Sequence, residues 1–114
     1  MTALLRRIAG SGLGSFLAVL KAMGPAAAHG MLSFPMEGFT LALDFPAHRG
    51  SFALLTELDA ITADHGGRIY LAKDARSAPD LLRFYPRLEE FRAQRRAIDP
   101  QGKFSSLLSQ RLGL

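Results

Sequence analysis

The stretch that decides the fold is residues 38–46, GFTLALDFP. Large apolar side chains occupy every odd position from 39 to 45, whereas the even positions carry Thr40, Ala42 and Asp44. This period of two predicts a β-strand with one apolar face. The other face is small or polar, so it has room for a ligand to lie against it.

A helix and a further strand are predicted after this stretch. Ser51 is expected to be the helix N-cap, and an apolar stripe of Leu54, Leu58 and Ile61, with Leu55, would cover the apolar face of the strand. The pair Gly66-Gly67 ends the helix. Residues 68–72 then indicate a short strand, so that strand, helix and strand could form a right-handed crossover unit.

The remaining pattern is mostly helical. Helices are predicted at residues 4–9, from 77, after Tyr85-Pro86 and at 104–112, and a first strand is predicted at 15–21. The fold class is therefore α+β: a sheet of about three strands with a covering helix, followed by carboxy-terminal helices. Because three strands make a small sheet, strands from outside this chain are expected to complete it.

Composition bounds the chemistry. The chain has 114 residues, 48% of them hydrophobic and 21% charged, and no cysteine. Thiolate chemistry is thereby excluded, so redox chemistry would require a bound cofactor. His29, His48 and His65 are isolated in the sequence, and no metal site is predicted. The net charge of +4 is concentrated in residues 68–114, which hold ten basic and five acidic residues.

Two stretches near the amino terminus resemble known motifs, a secretory signal and a phosphate-binding loop. Arg6 and Arg7 before an apolar stretch resemble a secretory signal, but glycines and Lys21 interrupt it, which favours folded structure. The glycines at 10, 12 and 14 resemble a phosphate-binding loop. A helix precedes them and a strand follows, which reverses the order that such a loop needs, so a helix stop and a turn are predicted.

Three segments resemble the carboxy-terminal region of the vanillyl-alcohol-oxidase class of flavoproteins. They are residues 15–25 (SFLAVLKAMGP), residues 32–46, which contain LSFP and GFTLALDFP, and residues 66–100, which contain GGRIYLAKD, YPR and RRAIDP. The resemblance is nearest to decaprenylphosphoryl-ribose 2-oxidases and to sugar-lactone oxidases such as D-arabinono-1,4-lactone oxidase.

The resemblance implies an FAD-dependent oxidoreductase that oxidises a sugar alcohol or sugar lactone by hydride transfer to flavin N5. Residues 1–76 would be the last part of a substrate-binding cap domain, and residues 77–114 a helical return onto an FAD-binding domain. That domain lies outside this chain and would act in cis or in trans, so the chain alone is expected to be inactive. A cytoplasmic location, with peripheral membrane association as an alternative, is expected.

The resemblance also assigns roles to five residues. Lys73 and Tyr70 would be catalytic, with Lys73 contacting the flavin as well. Lys21, Thr40 and Ala42 would bind substrate, and Ala42 would also face the cofactor. Some relatives carry asparagine and cysteine at positions 40 and 42, which puts the polyprenyl-sugar substrate in doubt. Positions 70 and 73 have opposite parity, so the strand must end or bulge near Leu71 for both to line one site.

Two other interpretations remain open from the residues alone. The arginine-rich helices favour a small basic module that binds RNA or an acidic partner, although no nucleic-acid motif is present and no nucleic acid is expected. The default for these arginines is a solvated face paired with glutamates. The other interpretation is a nonfunctional remnant that folds poorly.

Overall fold

The chain forms two compact units in a computed structural model. The structure describes residues 1–25, 30–73 and 79–114. One unit contains the described residues of 1–27 and 35–67, and the other those of 28–34 and 68–114. Within the described residues there are four α-helices and a two-stranded antiparallel sheet, which confirms the α+β class with two strands in place of about three. The predicted domain boundary at 76/77 lies outside the described residues and stays a prediction.

The first unit is built around a strand pair. Its elements are α1 (Thr2–Gly10), β1 (Leu17–Met23), β2 (Gly38–Asp44) and α2 (Arg49–Asp64). Strands β1 and β2 are antiparallel, with Leu17 opposite Asp44 at one end. Ser15 extends this end, because its hydroxyl accepts from the Asp44 N–H at 2.9 Å and donates to the Asp44 carbonyl at 3.0 Å. The same hydroxyl proton is shared with the Leu17 carbonyl, which lies nearer at 2.5 Å, so Ser15 joins the backbone ends of both strands.

The helices of the first unit pack on each other. Helix α1 contacts α2, and Arg7 Nη2 donates to Glu57 across this contact at 2.9 Å. The stripe predicted for α2 is confirmed at Leu54 and Leu58, which are both buried.

Helix α2 begins two residues before its predicted N-cap. His48, rather than Ser51, is the N-cap, and its Nδ1 accepts from the Ser51 N–H at 3.2 Å. Ser51 lies inside the first turn and is buried. The prediction was wrong here because an imidazole nitrogen can take the acceptor role that serine usually fills. Gly66, with φ of 67°, ends the helix as predicted.

The third predicted strand does not form. Residues 68–72 pair with no strand among the described residues, and the chain turns at Leu71 and Ala72. The Lys73 N–H donates to the Tyr70 carbonyl at 3.3 Å, which closes the turn. The crossover unit was therefore a wrong prediction. Its physical reason is that the backbone of this segment is satisfied by local bonds and by a side chain rather than by a neighbouring strand.

The second unit is helical. Its elements are a 3₁₀ helix (Pro79–Phe84), α3 (Leu88–Ile98) and α4 (Leu107–Leu112). Helix α4 packs on the 3₁₀ helix, where Leu82 and Leu112 are buried. The start of the helix predicted from residue 77 lies outside the described residues. The last helix begins at 107 rather than 104, because Ser106 and Ser109 form a capping box.

The end of α3 was predicted correctly. Asp99 is its C-cap, and the Asp99 carboxylate accepts the backbone N–H groups of Lys103 and Phe104 at 2.9 and 2.8 Å. These two bonds lower the pKa of Asp99. Across the described ranges, no helix has the length and apolar character needed to cross a bilayer.

Candidate functional site

The strand pair brings three of the five predicted site residues onto one face. Lys21 lies directly opposite Thr40, and Val19 lies directly opposite Ala42. Opposite residues of an antiparallel pair project to the same side, and so do residues two apart along one strand. Lys21, Thr40 and Ala42 therefore share a surface, which we call the Thr40 face.

The Thr40 face combines hydrogen-bonding groups with apolar ones, because the exposed side chains of Leu17 and Val19 project to the same side as Lys21. Thr40 and Ala42 are half-buried, whereas Lys21 is exposed. The Thr40 hydroxyl can donate and accept, and the Lys21 ammonium can donate three hydrogen bonds. Ala42 adds only a methyl group, so a flat ligand can approach the sheet there, beside the exposed Val19. At the other end, Lys21 and Thr40 offer groups that can hydrogen-bond hydroxyls.

The opposite face of the sheet is only partly covered. Leu41 and Leu43 are half-buried, but Phe39 on the same face is 68% exposed. The predicted cover of this apolar face by a helix therefore does not extend to Phe39.

The other two predicted residues lie together on the turn that closes at Lys73. Tyr70 is 51% exposed, and its ring contacts that of Phe34 with centroids 5.2 Å apart. Lys73 is exposed. Because the chain turns between them, the opposite parity of positions 70 and 73 no longer aims them at opposite faces. The sequence argument required the predicted strand to end or bulge near Leu71; no strand forms here among the described residues, and a turn at Leu71 and Ala72 stands in its place.

This turn is held by residues that come from elsewhere in the second unit. The Tyr85 hydroxyl donates to the Ile69 carbonyl at 2.6 Å, and Arg68 Nη1 donates to the Ser33 carbonyl at 2.9 Å. The Arg68 guanidinium also lies 5.9 Å from the centre of the Tyr85 ring. Burial raises the pKa of Tyr85, while the charge of Arg68 and the backbone N–H of Leu71 act in the opposite direction. The hydroxyl therefore stays protonated at neutral pH and available as a donor.

The predicted site residues thus fall into two groups. Lys21, Thr40 and Ala42 lie on the strand pair of the first unit, and Tyr70 and Lys73 lie on the turn of the second unit.

The described residues fit the ring-facing part of a flavin site better than its phosphate-binding part. In the second unit an exposed tyrosine ring beside a lysine would suit a flat heterocycle, and in the first unit so would a strand face with a small side chain. Gly10 is the last residue of α1, and Gly12 and Gly14 lie between α1 and β1, so no helix N-terminus follows these glycines to meet a pyrophosphate. The phosphates of FAD would need groups from another part of the protein.

The histidines serve local structure where they are described. His48 caps α2, and His65 Nδ1 lies 2.8 Å from the Ile61 carbonyl. His29 lies outside the described residues. In the part of the chain that the structure covers, no three histidine, cysteine or acidic side chains cluster as a metal site would require.

Several arginines of the basic helical segment are engaged with neighbouring groups. Arg87 pairs with Glu90, and Arg92 pairs with Glu89, each at 2.7 Å. Arg95 donates to the Phe104 carbonyl at 2.8 Å. These contacts match the solvated, salt-bridged face that helical spacing indicates.

Reasoning from sequence missed the residues that support the site. The sequence places Tyr85 at a helix break and in the YPR motif, Arg68 in a strand and Ser15 at a strand start, but it assigns a supporting role to none of them. A buried tyrosine hydroxyl does need a hydrogen-bond partner, which is a usable signal. The partner itself, Ile69, is sixteen residues away, and nothing local identifies it.

Comparison with known proteins supports an oxidase-type assignment at a coarse level. No family model matches the chain. It is 46% identical over 113 residues to a Streptomyces coelicolor protein described as an uncharacterized protein in the mprA 5′ region, covering 97% of this chain and 30% of that protein. It is 42% identical over 105 residues to the decaprenylphosphoryl-beta-D-ribose oxidase of Mycolicibacterium smegmatis, covering 91% of this chain and 23% of that oxidase.

The chain therefore spans less than a third of the length of these curated relatives. The similarity supports a segment of an oxidase-family protein, in agreement with the resemblance noted in the three sequence segments.

Proposed function

We propose that this chain forms the substrate-facing part of an FAD-dependent oxidoreductase that oxidises a sugar alcohol or sugar lactone. The FAD-binding domain would be supplied in cis or in trans, and a cytoplasmic setting, with peripheral membrane contact as an alternative, would suit this role. The proposal rests on the similarity to an oxidase and on one structural observation. That observation is the shared face of Lys21, Thr40 and Ala42, because strand pairing grouped three residues that the resemblance had named separately.

In this proposal the residues of the chain orient the substrate and set the local charge. Lys21 and Thr40 would hydrogen-bond the hydroxyl groups of a sugar, and Ala42 would leave room for the ring of the cofactor. Tyr70 would border the reacting carbon. Lys73 would place a positive charge where negative charge develops during oxidation. The flavin, when bound, supplies the acceptor for the hydride of the CH–OH group.

Exposed apolar side chains in the second unit support the proposed docking of residues 77–114 on another domain. Ile98, Phe104 and Leu107 are each about three-quarters exposed, although they lie within ten residues of one another in the sequence. Large apolar groups left in water near one another usually mark an interaction surface. An FAD-binding domain is the partner that the resemblance assigns to this segment.

The test is a chimera in which this chain replaces the matched 105-residue segment of the Mycolicibacterium smegmatis oxidase. The purified chimera should retain flavin, and anaerobic mixing with a panel of sugar alcohols and lactones should identify a compound that bleaches it. Lys73→Met should keep the flavin but slow bleaching about 100-fold or more, because a preorganised charge is lost. Lys21→Met should mainly raise the substrate concentration that gives half of the maximal bleaching rate.

Lys103→Met is the matched control, since it removes an exposed lysine of the same unit that has no role in the proposal. It should bleach at the parent rate. A folded chimera that purifies without flavin would contradict the proposal. Equal rates for Lys73→Met and Lys103→Met would remove the catalytic role of Lys73.

A further inference from the structure

Tyr85 is fastened at both of its ends. Its backbone N–H donates to the Leu82 carbonyl at 2.9 Å, at the end of the 3₁₀ helix. Its side chain is only 3% exposed, and the hydroxyl reaches the Ile69 carbonyl at 2.6 Å. A rigid aromatic ring thus connects the helical part of the second unit to the segment that carries Tyr70 and Lys73.

The Ile69 carbonyl has a particular need for this bond. It lies in a segment that the sequence favours as a strand, but no neighbouring strand donates to it among the described residues. A carbonyl that leaves water without a partner destabilises the folded state. The Tyr85 hydroxyl takes the place of the absent strand partner. Burial raises the pKa of this hydroxyl, and the backbone N–H of Leu71 acts in the opposite direction. Both backbone neighbours of Tyr70 are therefore within the influence of one hydroxyl.

A second contact acts on the residue before Ile69. Arg68 donates to the Ser33 carbonyl at 2.9 Å, and its guanidinium lies against the Tyr85 ring. The segment is thus held at Arg68, at Ile69 and, through the ring contact with Phe34, at Tyr70. The turn that ends at Lys73 therefore follows a segment with three defined contacts.

We propose that Tyr85 is a positioning residue that holds the Ile69–Lys73 turn through its hydroxyl and so places Tyr70 and Lys73. The catalytic meaning of this placement rests on the proposed function, whereas the hold itself is a property of this chain. Tyr85 touches neither substrate nor cofactor in the proposal and acts only through the turn.

The first experiment measures the hold without any cofactor. Tyr85→Phe in the full 114-residue chain keeps the buried ring and removes one oxygen, and amide hydrogen exchange is followed by NMR at Leu71 and Lys73. The loss of the partner of a part-buried carbonyl should speed exchange at these two amides about tenfold or more. The amide of Phe91 in α3 should change much less.

A packing control separates local release from general loss of stability. Leu112→Val creates a small defect in the core of the same unit, with no hydrogen bond to the turn. It should affect α4 amides more than those of Leu71 and Lys73. Should Tyr85→Phe fail to fold, Arg68→Gln, which removes the contact with Ser33, should still accelerate the same two amides. Unchanged exchange, or equal acceleration by Leu112→Val, would overturn the hold.

The second experiment uses the chimera and separates the hold from the function. Tyr85→Phe should leave the flavin content unchanged and slow substrate-dependent bleaching about tenfold, with little change in the substrate concentration needed. Faster exchange at Leu71 and Lys73 with unchanged bleaching would refute the positioning role. A flavin-free chimera of the parent sequence would instead refute the proposed function and leave the exchange result standing.

Discussion

The end of helix α2 offers a quantitative test of the structure immediately before the Arg68–Lys73 segment. The Gly66 N–H donates to the Ala63 carbonyl at 2.9 Å, and the Gly67 N–H donates to the Thr62 carbonyl at 2.8 Å. This is the bonding pattern of a Schellman motif. A Cβ added at Gly67 would lie 2.7 Å from Thr62 Cγ2 and 3.1 Å from the Thr62 carbonyl oxygen. Gly67→Ala therefore forces a movement of Thr62.

The magnitude follows from how Thr62 is held. Its hydroxyl donates to the Leu58 carbonyl at 2.7 Å, so rotating Cγ2 away breaks a hydrogen bond. We expect Gly67→Ala to cost about 1–3 kcal/mol, typical of forced overpacking. In Gly66→Ala the added Cβ would lie in open space, but the residue has a φ of +67°. The left-handed conformation costs alanine about 1–2 kcal/mol, and the lower entropy of the unfolded chain partly offsets this loss of stability.

The assay is urea unfolding followed by circular dichroism, with Thr62→Ser as the second mutation of a double-mutant cycle. Serine keeps the hydroxyl and removes Cγ2, so Thr62→Ser should rescue Gly67→Ala by about 1 kcal/mol or more. In thermal unfolding, 1 kcal/mol corresponds to about 4 °C for a chain of this size. Additive effects of the two mutations would refute the steric reasoning. Gly10→Ala is the control, because its Cβ meets nothing within 4 Å.

Two further predictions concern charge. Asp99 has a pKa lowered by the N–H groups of Phe104 and Lys103, so its contribution is present above its unfolded pKa of about 4 and is lost as the pH falls through the lower folded pKa. In Asp99→Asn the free energy of unfolding should therefore fall less steeply as the pH is lowered. Identical urea midpoints for both proteins at every pH down to about pH 2 would contradict this. When the logarithm of the RNA association constant is plotted against the logarithm of the salt concentration, we expect a slope shallower than about −1.5. Substituting Arg95 and Arg96 with Gln should not change this slope. A slope of about −4 that the double variant makes shallower by about 1.4 would favour a nucleic-acid module instead.

How much of the fold could be predicted depended on the range of the forces involved. The alternation at 39–45 located β2 within a residue or two, and the Gly66-Gly67 pair located the end of α2, because both signals are local. The segment 68–72 has strand-forming residues, but its Ile69 carbonyl bonds to the Tyr85 hydroxyl, sixteen residues away, rather than to a neighbouring strand. His48 rather than Ser51 is the N-cap of α2. Histidine is found less often than serine at helix N-caps, but its ring nitrogen can accept the same hydrogen bond.

The candidate site shows the same limit more sharply. Alternation establishes which residues of one strand share a face, but it does not say which residues of a second strand join them. The ladder pairs Lys21 with Thr40. A slip of one residue would set Lys21 opposite Phe39 or Leu41 and move it to the apolar face. The register is therefore what makes one surface out of three separately named residues.

The register in turn depends on a residue outside the ladder. Ser15 binds both the N–H and the carbonyl of Asp44, and the Phe16 N–H donates to the same carbonyl at 3.2 Å. Because these bonds fasten one end of the strand pair, a one-residue slip would break all three at once. Ser15 and Tyr85 thus act alike in the two units: each uses a single hydroxyl to fix backbone that carries proposed site residues. Polar side chains bonded to distant backbone, rather than the site residues alone, determine which functional groups meet.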